Sequence, residues 1–247
     1  MLTDTQRDTL GEADAMKIMV YNTMHCASYA TNKIDFDLIA DVIRTYDPDV
    51  IGLNEMRGKG ITEAYGAQTE ELSQRTGMEH KYFARAILVG GTEPYGNALL
   101  SKISIASAQT ISVPDPEPRE YSGYYETRCL LKAKLENGLT VLVIHFGLNP
   151  DEQENAVKTV LEHLEDEKCV LMGDFNVSPD DPVLQPIRAR MRDTAELFEG
   201  EKQSYPSDAP RIKIDYIFVS RDIEVIAADI PAVVGSDHRP HTAKIAF

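Results

Sequence analysis

Val170-Leu171-Met172-Gly173-Asp174-Phe175-Asn176-Val177-Ser178-Pro179 decides how the rest of this 247-residue chain is read. The apolar run from Cys169 to Met172 predicts a buried strand, and Gly173 ends it where the backbone must bend. Asp174 and Asn176 stand two residues apart just past the strand end. If the extended geometry continues, their side chains point the same way. One supplies anionic oxygens, the other an amide that both donates and accepts. That pairing suits a hard cation and a water aimed at phosphorus. The same residues would also serve as a turn in which Asp and Asn satisfy backbone donors. The rest of the chain has to decide.

Outward from this stretch, other strands also end in polar residues. Lys17 to Asn22 and Val50 to Leu53 read as strands, the second followed by Asn54-Glu55. Leu139 to Phe146 carries His145, and Ile212 to Val219 carries Asp215. Ser236-Asp237-His238-Arg239-Pro240 precedes a last strand, Thr242 to Phe247. Further strand patterns run over Lys81 to Val89, Asn97 to Ser101, Ile103 to Val113, Arg128 to Leu135 and Ile223 to Ala228, and Asn137-Gly138 predicts a two-residue hairpin loop. Leu38, Ile39, Val42, Ile43 and Tyr46 recur at helical spacing up to Asp47-Pro48. Glu63 to Thr76 reads as a polar helix. Asn149 and Pro150 open another helix, whose stripe is Ala156, Val157, Val160, Leu161 and Leu164. Short helices punctuated by proline follow to Phe198, then a polar loop to Pro210. Helices are interspersed with hairpins, which disfavours an all-parallel sheet and predicts two mixed sheets packed face to face with helices outside. Residues 1–15 read as an N-terminal arm and 16–247 as one domain.

Apolar content is 43% and charged content 26%, ordinary for a globular chain. No apolar run is long enough to span a bilayer and no charged-then-apolar leader opens the chain, so a cytoplasmic location without stable membrane association is expected. Cys26, Cys129 and Cys169 lack metal-ligand spacing and read as buried free thiols. Acidic residues outnumber basic ones by 40 to 25, a net charge of −15. A surface that grips long DNA or RNA is usually basic. A small phosphorylated substrate is therefore expected over nucleic acid.

Placing six polar groups where strand ends converge is costly unless they satisfy one another or hold an ion. Their types suit one chemistry. Glu55 and Asp237 are hard oxygen ligands for Mg2+ (or Mn2+), which would polarise a phosphoryl oxygen. Asp174 can orient or deprotonate a water, and the amides of Asn22 and Asn176 can hold phosphate oxygens. His145 and His238 can donate to those oxygens or move protons. Asp215 can fix the tautomer of His238.

The blocks Tyr21-Asn22, Leu53-Asn54-Glu55, Tyr95 to Ser101, Ile144-His145-Phe146, Gly173 to Asn176, Ile214 to Ile217 and Ser236 to Pro240 stand in one order. In that order they resemble the endonuclease/exonuclease/phosphatase superfamily, whose members are similar to deoxyribonuclease I. The resemblance covers roughly residues 16–247. It implies a four-layer α-β-β-α sandwich and metal-dependent hydrolysis of phosphate esters by direct water attack. It also implies Glu55 as principal metal ligand, Asp174 and Asn176 at the water and phosphate, and an Asp215–His238 pair. His145 falls where nuclease members place a phosphate-contacting or acid histidine. Arg128 falls where many members place an arginine beside the substrate. Its bland alternative is an ion pair with Glu126 or Glu120. Asn97 is assigned to substrate binding, against a plain turn at Gly96-Asn97. Asn54 stands where glutamine is commonest and Ile144 where threonine usually precedes the histidine, departures that bear on substrate and not on catalysis.

Three rivals differ in chemistry. A nuclease would need the basic surface this chain lacks. A lipid-headgroup hydrolase similar to sphingomyelinase would need an apolar docking patch, and the chain has no Trp. A non-catalytic binding module would have no need of every catalytic position.

Overall fold

The computed structural model describes residues 15–247. The arm expected over 1–15 lies, apart from Ala15, outside the described residues. Twelve strands are assigned among these residues, in two six-stranded sheets. The first has the order β11 (Glu224–Asp229), β12 (His241–Ala246), β1 (Met16–Asn22), β2 (Val50–Arg57), β4 (Glu93–Ser101), β3 (His80–Val89). The second runs β5 (Ile105–Ser112), β6 (Cys129–Leu135), β7 (Thr140–His145), β8 (Cys169–Asp174), β10 (Asp215–Ser220), β9 (Met191–Asp193). Each is mixed: β1 is parallel to β2 and antiparallel to β12, and β8 is parallel to β7 and antiparallel to β10. Helices α1 (Phe36–Tyr46) and α2 (Gln68–Thr76) cover the first sheet, and α3 (Pro150–His163) and α4 (Gln185–Arg190) the second. The four-layer α-β-β-α sandwich is present as expected.

Alternation along the central strands builds these layers. Ile18 and Val20, Val141 and Val143, Val170 and Met172, and Ile217 and Val219 meet in the core between the sheets. Their neighbours Met19 and Tyr21 pack against Ile39, Val42 and Ile43 of α1. Leu142, Leu171 and Phe218 pack against Val157 and Val160 of α3. Strands buried on both faces lose the apolar/polar alternation, which is why they read as continuous apolar runs. Burying each such side chain contributes about 1.5–3 kcal/mol.

Several boundaries differ from expectation. The helix expected from Glu63 begins at Gln68. The Asn137-Gly138 hairpin has a three-residue loop: Gly138 N–H bonds to Leu135 C=O, and Gly138 takes φ +88 as the left-handed residue that closes a bulged turn. Within the region expected to be helical up to Phe198, Met191–Asp193 pairs as edge strand β9 with β10. The strand expected from Ile212 starts only at Asp215, because Ile214 C=O is taken by Phe175 N–H and Ile212 bridges to Tyr205. All three cysteines are buried and free, as expected. No helix among the described residues is long and apolar enough to cross a membrane.

One ion cluster ties the edge of α3 to the second sheet. The Glu165 carboxylate accepts from Thr140 Oγ1 at 2.6 Å and Lys134 Nζ at 3.0 Å, and lies 3.1 Å from Lys132 Nζ. Burial pushes its pKa up, but these three donors outweigh burial and bring it from 4.5 down to about 2. A pKa depressed on folding contributes stability above the unfolded value and loses it as pH falls through the folded one. Glu165→Gln is therefore expected to be less stable than the parent by a constant margin above about pH 5. That margin should shrink between pH 4.5 and 2, as read by urea unfolding across pH.

Candidate active site

The inter-sheet face of each central strand changes from apolar to polar at one end. Asn22 continues the series Ile18, Val20, and Asn54 the series Val50, Gly52. His145 follows Val141 and Val143, and Asp174 follows Val170 and Met172. Asp215 precedes Ile217, and Asn97 precedes Leu99. Register aligns them laterally, pairing Asn22 with Asn54, His145 with Asp174 and Asp174 with Asp215. All six are buried. Gly173 lets this layer close, since a Cβ there would lie 1.8 Å from the Ile144 carbonyl oxygen on β7.

Asn54 holds the layer together. Its Oδ1 accepts the Asp174 backbone N–H at 2.9 Å, and its Nδ2 donates to Asn97 Oδ1 at 2.8 Å and to Ile144 C=O at 2.9 Å. Asn97 donates in turn to Cys129 C=O at 3.1 Å. Asn97 does not line the cleft. Expected beside the substrate, it instead braces β4 against β6.

Glu55 would point toward the helices if β2 were regular. A bulge against β4 between Leu53 and Met56 puts Glu55 at φ +60 and turns its carboxylate toward Asn22, whose Nδ2 donates to Oε1 at 3.2 Å. Bulges beside functional sites commonly re-aim a side chain in this way. Met24, His25 and Cys26 all have positive φ, and this turn brings His25 Nδ1 within 3.1 Å of Glu55 C=O and 3.5 Å of Oε2. Gln68 pins the turn by donating to His25 C=O at 2.7 Å.

Asp174 lies at the centre. Oδ2 accepts from Asn22 Nδ2 at 3.0 Å and Oδ1 from Asn176 N–H at 3.0 Å. The extended geometry expected through Asn176 does not continue. Phe175 turns outward to pack on Phe146, Tyr216 and Phe218, and Asn176 takes φ +52 and donates its amide to Phe146 C=O at 3.0 Å. His238, from the loop before β12, places Nε2 3.6 Å from Asp174 Oδ2, and its Nδ1 bonds Asp215 Oδ2 at 2.8 Å. Burial pulls the imidazole pKa down, but the Asp215 and Asp174 carboxylates outweigh it and raise it above its ordinary value. Burial pushes the Asp174 carboxyl up, with His238 opposing.

His145 Nε2 lies 3.5 Å from Asp174 Oδ2, and its Nδ1 lies 3.2 Å from Arg128 Nη1. Arginine only donates, so Nδ1 accepts and the ring proton sits on Nε2. Burial, then the Arg128 charge, push this imidazole well below its ordinary pKa. Arg128 pairs with Glu126 and also lines the cleft. That cleft, of about 510 Å³, is lined by Glu55, Asp237, Asp174, Asn176, His145 and His238 among others. Asn22 sits beneath the cleft and not on its wall.

Other lining residues lie outside the expected site set. His25 and Tyr205, whose ring lies 4.8 Å from that of His238, reach the cleft through loop geometry. Tyr124 and Glu126 come from a Pro- and Glu-rich loop whose tyrosines read either as a pocket wall or as packing on themselves, and Tyr124 lines the cleft. A comparable recess of about 500 Å³ lies across Ile212, around the buried Lys213–Asp193 pair. It contains none of the expected site residues and is not where the chemistry converges.

The model of the Endonuclease/Exonuclease/phosphatase family matches residues 19–238. No curated protein matches the chain. Among solved structures, an endonuclease/exonuclease/phosphatase from Beutenbergia cavernae DSM 12333 is 21% identical with a TM-score of 0.77, over 95% of this chain and 72% of that one. The mannosyl-6-phosphatase of Bacteroides thetaiotaomicron VPI-5482 is 14% identical with a TM-score of 0.71, over 94% and 100%. The human Nocturnin catalytic domain with bound sulfate is 16% identical with a TM-score of 0.67, over 94% of each chain. At these identities the likeness shows the fold.

Removing the Asn54 side chain leaves the Asp174 N–H and the Asn97 and Ile144 oxygens without this partner. Each buried group left unpaired costs about 1–3 kcal/mol. Asn54→Ala should lose about 3 kcal/mol or more in urea unfolding. A loss under about 1 kcal/mol would mean the layer is held otherwise.

Proposed function

The chain belongs to the endonuclease/exonuclease/phosphatase family, and on that premise we propose that it is a metal-dependent hydrolase of phosphate esters. Its substrate is small and is cleaved by direct attack of water. The observation that carries the reading is Asp174, held by Asn22 and Asn176 on one side and facing the charged Asp215–His238 pair on the other, at the floor of a cleft that also presents Arg128. A phosphatase and a sulfate-bound catalytic domain among the structural neighbours accord with an oxyanion site.

The donor set fits a divalent cation. Glu55 and Asp237 both line the cleft, and no lysine or arginine among the described residues neutralises either. Asp237 is pushed above its ordinary pKa by burial and, against the pull of His238, by the Glu55 charge. Two hard-oxygen carboxylates lining one cleft suit Mg2+ or Mn2+ with remaining positions filled by water. Asp174, Asp215 and His238 also place ligand atoms within 4.8 Å of one another. In that group, however, Asp215 and His238 already hold each other, which suits proton handling better. A bound cation would offset charge developing on the phosphoryl group and the leaving oxygen.

The protein groups divide the remaining work. Asp174, its basicity raised by burial, accepts a proton from the attacking water. His238, kept protonated by Asp215, donates to a phosphoryl oxygen. His145 offers its Nε2–H as a neutral donor. Asn22 spends its Nδ2 on Glu55 and Asp174, so its part is to position those carboxylates. Asn176 contributes through its free amide oxygen and its N–H to Asp174. Arg128 draws the anionic ester inward against the overall −15 field, since a small ester in a cleft responds mostly to nearby charges. Long DNA or RNA meets the whole acidic surface and is disfavoured.

With Mg2+, the protein should hydrolyse a member of a panel of nucleotides, sugar phosphates, inositol phosphates, phospholipids and oligonucleotides. Asp174→Ala should abolish that activity with the circular dichroism spectrum unchanged. Residual activity within tenfold of the parent would remove Asp174 from the reaction, and a preference for duplex DNA would restore the nuclease reading. Residues that act as a unit lose activity non-additively. Asp215→Asn, His238→Ala and the double variant should then fall to similar kcat values, whereas multiplicative losses would uncouple the pair.

A further inference from the structure

On one wall of the cleft a continuous chain of polar contacts runs from solvent to Asp174. Tyr124, 68% exposed, donates its hydroxyl to Glu126 Oε2 at 3.3 Å. Glu126 Oε1 holds Arg128 Nη1, the same nitrogen that donates to His145 Nδ1, and His145 Nε2 faces Asp174. The Glu126 backbone is fixed too. Its N–H donates to Glu152 Oε1 at 3.1 Å, and the carboxylate of Glu152, in the first turn of α3, also accepts Asn149 N–H at 3.1 Å.

We propose that Glu126 is a positioning residue that sets which nitrogen of His145 carries the proton, acting through Arg128. The inference rests on the hydrolase reading above only for its kinetic arm. Arg128 Nε is buried without a partner among the described residues, and it is Nη1 that joins the guanidinium to both Glu126 and His145. Among the described residues, the carboxylate paired with Nη1 and directing it at His145 is that of Glu126.

The consequence is chemical. With Nη1 at Nδ1, the proton is confined to Nε2 and is presented to the Asp174 side of the cleft. Without Glu126 the guanidinium is free to turn toward the other carboxylates that line the cleft, Glu55 and Asp237. His145 then also populates the Nδ1–H tautomer, which points a lone pair at the Asp174 carboxylate and offers the substrate no donor. Glu126 thus acts on the reaction through Arg128 and His145.

The test uses the full chain labelled with 15N-histidine, read by imidazole nitrogen resonances at neutral pH, with His145→Gln to assign the signals. The parent should show a bare Nδ1 and a protonated Nε2. Glu126→Ala should show mixed tautomers and a kcat lowered about tenfold or more. That loss corresponds to removal of one charge-assisted hydrogen bond. Glu126→Gln retains an acceptor oxygen for Arg128 and should recover the tautomer and most of kcat. The proposal is overturned by an Nδ1–H form in the parent, by an unchanged Nε2–H form in Glu126→Ala, or by a change confined to KM. If no ester is turned over, the hydrolase reading fails while the resonances still decide this one.

Discussion

The period-two alternation of the central strands is the constraint on which the rest depends. The face that buries Val20, Val143, Met172 and Ile217 between the sheets is the face that, a step further along each strand, presents Asn22, His145, Asp174 and Asp215. A one-residue slip of any of these strands would send its polar group to the helix layer and an apolar one into the cleft. Core packing and site geometry are thereby set by one register. The apolar part of the face, at about 1.5–3 kcal/mol for each side chain, locks the polar part where it is needed.

A polar layer at the edge of a dry core has to be nearly self-sufficient. Asn54 and Asn97 achieve this by spending their amides on backbone groups and on each other. What remains charged there is Asp174, the Asp215–His238 pair, Glu55, Asp237 and Arg128. Asp215 Oδ1 and Arg128 Nε stay buried without partners, so the satisfaction is incomplete at the two groups that steer the histidines. Strained backbone collects in the same place, at Glu55, at Asn176 and across Met24 to Cys26. Such conformations cost about 1–3 kcal/mol each and persist only where surrounding structure enforces them. Here the bulge in β2, the Phe175 cluster and Gln68 do so.

Much of this was legible in the residues. Polar groups at the ends of apolar runs marked where the strands converge on the cleft, because burial without partners is too costly to be accidental. The layer order followed from hairpins mixed with helices. Legibility stopped where a side chain's direction depends on another strand. Glu55 faces the cleft only because β4 is one residue short against β2, and no local pattern in Leu53 to Met56 announces that. Asn97 obeys the strand parity yet serves as a brace, since its partners Asn54 and Cys129 lie on other strands. Asn176 departed from the extended path because Phe175 is drawn into the helix-side core. His25, Tyr205 and Glu126 arrive on loops whose course is set by tertiary contacts, and β9 is too short for any periodicity.

In the reaction we propose, water oriented by Asp174 is the only nucleophile, although two histidines border the same cleft and an imidazole is chemically able to take a phosphoryl group. The stereochemical course at phosphorus separates these directly. Hydrolysis of a single enantiomer of an aryl phosphorothioate diester in 18O-labelled water, with Mg2+, should give a product of inverted configuration, the outcome of one in-line displacement. Retention would require two displacements through a covalent intermediate on the protein and would contradict the account.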